Sequence, residues 1–150
     1  MIKTVDIYTD GACSKNPGPG GYCAILMYNG AEKVVSGSED QTTNNRMEIL
    51  AVIKGLEALK EPCAVNLYSD SQYVVDAFNQ GWITAWKSSG WRTSNKKEVK
   101  NSDLWLRLLE LTAVHNVNFI KVKGHSDNEF NNRCDKIAVS EYKKIQTDNI

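Results

Sequence analysis

The chain has 150 residues, a formal net charge of zero and an ordinary globular composition, which fits a single domain spanning 1–150 with its own core. Zero net charge excludes global basicity as a nucleic-acid signal. No stretch reaches the ~18 apolar residues of a membrane span or resembles a signal peptide, so the expected setting is cytoplasmic and membrane-free.

Residues 2–10 are rich in β-branched and aromatic types and predict a strand. Residues 21–28 and 31–38 flank Asn29-Gly30, a two-residue hairpin signal. From Met47 to Leu59, Ile49, Val52, Ile53 and Leu56 follow the helical period, and Pro62 closes the helix. Residues 64–69 predict a strand, and Ser71 to about Phe78 a helix. Residues 82–101 read as irregular, with Trp82, Trp86 and Trp91 interleaved among Lys87, Arg92, Lys96, Lys97 and Lys100 against Glu98 alone. A helix over 102–112 and a strand over 117–123 follow. Ser126 with Glu129 forms a capping-box pattern opening a helix from 127 to about 143, whose apolar face carries Phe130, Cys134, Ile137 and Ala138.

Hairpins imply antiparallel pairing, and helical crossovers imply parallel pairing, so the elements assemble into an α/β fold with a mixed sheet and helices on its faces. No repeat or linker is visible. Strand-like sequence begins at residue 2, so no separate N-terminal domain is expected. Cys13, Cys23, Cys63 and Cys134 lack C-x-x-C spacing, which speaks against zinc, and read as reduced thiols. Whether Cys13 and Cys63 approach each other is open at this level.

Asp10, Glu48, Asp70 and Asp135 stand within YTDGACSKNPGPGG, TTNNRMEILA, LYSDSQY and VKGHSDNEFNNRCDKIA. Asp10 and Asp70 fall at the carboxyl ends of two strands that could be neighbours, and His125 just past the end of the last strand. Ligands bind at that rim in open α/β sheets. Gathered carboxylates repel by roughly 4 kcal/mol per pair at ~4 Å and an effective dielectric of ~20, so they need protons or a cation. Plainer readings exist for each residue. Asp10-Gly11 fits a turn, Asp70-Ser71 a helix cap, and Asn45 with Glu48 an N-x-x-E cap. Asp135 fits a solvated helix position, and His125 a loop.

In order along the chain, TDG at 9–11 with NPGPGG at 16–21, TTNNRME at 42–48, SDSQYV at 69–74, KNSDLW at 100–105, VKGH at 122–125 and NRCD at 132–135 resemble a type 1 bacterial ribonuclease H. The resemblance covers nearly the whole chain. It implies a five-stranded mixed sheet and hydrolysis of the RNA strand of an RNA–DNA hybrid, leaving 5′-phosphate and 3′-hydroxyl ends. By motif match Asp10, Glu48, Asp70 and Asp135 are the metal-binding carboxylates, and His125 is a mobile histidine that moves a proton or helps product leave. The same match sets Asn16, Asn44, Asn45, Gln72 and the Cys13 backbone along the RNA strand, and Thr43 and Asn101 on a DNA phosphate. Some relatives add an arginine to that phosphate pocket, where Gln41 stands here. Residues 82–100 resemble the basic protrusion of the bacterial enzymes, in which Trp86, with Tyr73 and Ser94, lines a channel for the DNA strand. Trp82 and Trp91 read instead as packing residues. Lys87-Ser88-Ser89 thins the run of basic residues found in some relatives.

The chemistry suits the residues. Two hard cations about 3.5–4 Å apart lower the pKa of an attacking water and stabilise the leaving oxygen. Four acids and no thiolate favour Mg²⁺, with Mn²⁺ as a substitute. RNA is told from DNA by its 2′-hydroxyl, which short side chains that donate and accept can read. The expected protein is a monomer acting on hybrid. The competing functions are an inactive hybrid-binding module and a different metal nuclease or DNA strand-transfer enzyme.

Overall fold

The computed structural model describes residues 2–93, 96–123 and 128–148. Strands β1 (Lys3–Cys13), β2 (Gly18–Tyr28) and β3 (Ala31–Thr42) form an antiparallel meander. Its second turn is Asn29-Gly30, where both residues have positive φ (50° and 81°), as a two-residue hairpin loop requires. Helix α1 (Asn44–Glu57) leads to β4 (Cys63–Ser69), which pairs parallel to β1 from Lys3↔Cys63 to Thr9↔Ser69. Helices α2 (Gln72–Asn79), α3 (Trp82–Ser88) and α4 (Ser102–Val114) precede β5 (Asn116–Lys121), parallel to β4, and α5 (Glu129–Asp148) closes the fold. The sheet has five strands in the order β3-β2-β1-β4-β5, the mixed architecture expected from the crossovers.

Strand alternation sends residues to two faces. Val5, Ile7, Ala24, Leu26, Val65 and Leu67 pack against Ile49, Val52, Leu56, Val74, Trp105 and Leu108 from α1, α2 and α4. Cys23 and Ile25 pack against Cys134 and Ala138 of α5 on the other face, with Tyr8 and Phe130 partly buried beside them. Cys63 and Cys13 belong to opposite ends of β1, since Cys63 pairs with Lys3. At ~3.3 Å per residue that is roughly 30 Å, far beyond disulfide reach, and all four thiols are free.

Several boundaries differ from the sequence expectation. Thr43, not Asn45, caps α1: its hydroxyl accepts from the Arg46 backbone N–H at 3.2 Å. That leaves Glu48 free of capping duty. The helix ends at Glu57, well before Pro62. The segment read as irregular contains α3, entered through Gly81 in the left-handed region (φ 77°). Ser126 lies outside the described residues, and α5 starts at Glu129.

Candidate active site

Asp10 sits where β1 loses one of its two neighbours. Pairing with β4 stops at Thr9↔Ser69, whereas pairing with β2 runs on from Asp10↔Cys23 to Cys13↔Gly20. Asp10 therefore lies inside a strand, not at its end, and Asp70 follows the last residue of the shorter neighbour. Parallel register delivers the two carboxylates together.

Glu48 comes from α1, and Gly11 permits its approach. A Cβ on Gly11 would lie 2.4 Å from the Met47 carbonyl carbon and 2.5 Å from the Glu48 nitrogen. Without one, strand and helix meet backbone to backbone. The Gly11 N–H then donates to Asp10 Oδ1 at 2.9 Å and to Glu48 Oε1 at 2.5 Å. Gly21 plays the same part for α5, since a Cβ there would lie 2.1 Å from the Ala138 carbonyl oxygen, less than one helical turn beyond Asp135.

Asp10, Glu48 and Asp70 each offer an oxygen within 4.8 Å of the others. Asp135 stands outside that group but on the wall of the same cleft, about 340 Å³, which Cys13, Asn44 and Ser71 also line. A larger cavity of about 560 Å³ opens at the opposite end of β4 and β5, around His115 and Asn116. It contains no carboxylate, so chemistry rather than size marks the candidate site.

Burial pushes the Asp10 carboxyl up to about 7, and the charges of Asp70 and Asp135 add to the effect, while Glu48 and the Gly11 amide oppose it. Glu48 lies well above the ordinary carboxylate range, again mainly through burial and then through the Asp10 charge. Two buried carboxyls in contact resist double ionisation, so the pair retains a proton near neutrality. Glu48 Oε2 is buried and has no hydrogen-bond partner among the described residues.

The polar residues expected near substrate are distributed around this cleft. Asn16, Asn44, Asn45 and Gln72 are exposed. Asn16 Oδ1 accepts from the Asn44 backbone N–H at 3.1 Å, tying the loop after β1 to the start of α1. Asn101 precedes α4 in the left-handed region, φ 63°. Its Oδ1 accepts from Arg46 Nη1 at 3.2 Å, and its Nδ2 donates to the Tyr73 hydroxyl at 3.2 Å. Arg46 also forms a two-armed ion pair with Asp103, at 3.1 and 2.9 Å, and Trp105 Nε1 donates to Tyr73 at 3.3 Å. Trp86 is half-buried and contacts Trp82, Trp91 and Trp105 at ring-centroid distances of 5.7–6.1 Å. Trp82 and Trp91 pack as expected, and Trp86 shares that packing. Lys87, Arg92, Lys96, Lys97 and Lys100 are all exposed. His125 and Ser94 lie outside the described residues. Arg46, Asp103 and Trp105 escaped the sequence reading, although Arg46 stands within TTNNRME and the other two within KNSDLW.

The family model described as RNase H matches residues 2–143. The chain belongs to the RNase H family. A ribonuclease H of Caldicellulosiruptor saccharolyticus is 61% identical over 145 residues, 97% of this chain and 100% of that one. One from Acetivibrio thermocellus is 62% identical over 143 residues, 95% of this chain and 97% of its own. Among solved structures, LC9-RNase H1, described as a type 1 RNase H with the type 2 active-site motif, superposes with a TM-score of 0.86 at 28% identity, covering 96% of this chain and 74% of that one. LC11-RNase H1, solved in complex with an RNA/DNA hybrid, gives 0.74 at 24% identity, covering 95% and 99%. That last likeness concerns the RNase H fold alone.

Proposed function

We propose that this chain is a single-domain, monomeric endoribonuclease that hydrolyses the RNA strand of RNA–DNA hybrids with Mg²⁺, leaving 5′-phosphate and 3′-hydroxyl ends. The observation that carries it is the meeting of Asp10, Glu48 and Asp70 in one cleft, with Asp135 on its wall, in a member of the RNase H family. Four unpaired thiols support a cytoplasmic setting. No helix among the described residues is long and apolar enough to cross a membrane.

The residues fit hard divalent cations. They offer oxygen ligands only, and Glu48 Oε2 is a buried acceptor in need of a partner. Asp10, Glu48, Asp70 and Asp135 are the proposed ligands of two Mg²⁺ ions, with Mn²⁺ as a substitute. Bound there, the cations would acidify the attacking water and neutralise charge on the leaving 3′-oxygen.

The protein's own part is positional. The Gly11 amide holds Asp10 and Glu48 side by side, and the proton that the pair keeps near neutrality must leave before both act as ligands. His125, through its imidazole, exchanges protons with the reacting groups. Its replacement by Ala should slow turnover less than loss of an acid. Cys13, through its backbone, with Asn16, Asn44, Asn45 and Gln72, reads the RNA strand through its 2′-hydroxyls. Thr43 and Asn101 hold a DNA phosphate. Tyr73, Trp86 and Ser94 line the DNA path toward the protrusion bearing Lys87, Arg92, Lys96, Lys97 and Lys100.

The test is a labelled hybrid incubated with Mg²⁺ beside RNA–RNA and DNA–DNA controls. Cleavage confined to the RNA of the hybrid is expected. Binding without cleavage would leave only a binding module, and comparable cutting of duplex DNA would favour another nuclease.

A further inference from the structure

Hydrogen-bonding capacity fixes the polarity of the Asn101 side chain. The Arg46 guanidinium can only donate, so the Asn101 atom facing it at 3.2 Å must be the amide oxygen. The amide nitrogen is thereby turned to Tyr73. Trp105 Nε1, also a donor only, takes the other lone pair of the same hydroxyl. With both acceptor sites filled, the Tyr73 O–H hydrogen must point elsewhere, and it donates to no group among the described residues. Flipping the Asn101 amide would set an N–H against Arg46 and turn the oxygen on Tyr73. Arg46 is itself pinned by its two-armed pair with Asp103, a geometry that a lysine cannot reproduce.

We propose that Arg46 is a positioning residue for hybrid binding: it orients the Asn101 amide, and with Trp105 it turns the Tyr73 hydroxyl outward, so that this corner presents two donors to an anionic phosphate of the DNA strand. The inference rests on the proposed reading of Asn101 as a DNA-phosphate contact. An acceptor facing outward there would repel a phosphate oxygen. The ion pair with Asp103 neutralises Arg46, so its role is geometric, not that of a free charge.

Steady-state kinetics on two hybrids test this, one ordinary and one with neutral methylphosphonate linkages in the DNA strand. On the ordinary hybrid, Arg46→Ala should raise KM roughly tenfold with kcat within about twofold, the pattern of lost uniform binding. Asn101→Ala should behave alike, and the double variant should add little. Tyr73→Phe keeps the ring and should raise KM in the same direction. On the neutral hybrid wild-type KM should rise, and Arg46→Ala should make no further difference. Arg107→Ala is the control, because Arg107 pairs with Glu57 and joins the same two helices elsewhere; its KM should stay at the wild-type value. Equal KM increases in Arg46→Ala and Arg107→Ala would overturn the proposal in favour of simple helix docking. If Asn101→Ala and Tyr73→Phe raise KM but Arg46→Ala does not, the positioning role fails alone. If Asn101→Ala and the neutral linkages both leave KM unchanged, the phosphate reading beneath it fails.

Discussion

Asp10 ionises at a cost in the metal-free protein, and that cost has a sign. Its folded pKa, about 7, stands above the ordinary 3.8, so the folded state binds the proton more tightly than the unfolded state. Stability is then fully present below about pH 4 and falls as pH rises through 7. Asp10→Asn removes this loss. It should abolish cleavage and raise the melting temperature of the metal-free protein, with a gain of roughly 1–3 kcal/mol above pH 7 that shrinks toward pH 4. Melting curves in a chelator at several pH values check it. Asp70→Asn should likewise abolish activity, and near-normal turnover would remove Asp70 from the site. His115 behaves oppositely. It is buried, its Nδ1 accepts from the Cys63 backbone N–H at 3.1 Å, and burial lowers its pKa below 6.5. Its contribution is therefore present above about pH 6.5 and lost as pH falls, because protonation sets one N–H against another. His115→Gln should flatten stability between pH 5 and about 6.5, by about 1–2 kcal/mol in urea melts.

Helices α1 and α5 reach the sheet where it lacks side chains. Gly11→Ala drives a Cβ into the Met47 and Glu48 backbone, which no rotamer change relieves. We expect a loss of about 3 kcal/mol or more and near-complete loss of cleavage even where the protein still folds. Thermal melts beside activity check both halves, and a folded, fully active variant would refute the close-contact account. At this scale the sequence was partly legible. The period of α1 and the Asn29-Gly30 turn announced themselves because hydrophobic spacing and turn chemistry are local. Strand β2 starts at Gly18, three residues before the expected 21, and the close approach of α5 explains why position 21 has no side chain. Helix α3 has seven residues, too few to leave a period, and rests on tryptophan packing that only the tertiary structure supplies. Glu48 was legible as a candidate through its motif, but its separation from the cap became clear only when Thr43 took that role. Arg46 had no role legible in sequence because its partners, Asn101 and Asp103, are far along the chain.

Across the whole molecule, five of the 18 basic residues fall between residues 87 and 100 while the net charge is zero. Lys87, Arg92, Lys96, Lys97 and Lys100 are exposed there, so only a few phosphates are neutralised on binding. Affinity for hybrid should fall with salt at a log–log slope of about 3–5, and the double change Lys96→Ala, Lys97→Ala should reduce the slope by about 1–2. Binding by the inactive Asp70→Asn protein over a salt series measures this, and a slope of ten or more would contradict it.

The Gly11 and Gly21 contacts also bear on how this protein can change. Spacing among the carboxylates is set where main chain touches main chain, with no intervening side chain to swell or shrink. Conservative exchanges of Leu, Ile or Val elsewhere in the two cores should therefore disturb the cleft less than a Cβ added at Gly11 or Gly21. Folding stability and the geometry of the cleft should then vary with some independence, which leaves the cores room for drift or engineering.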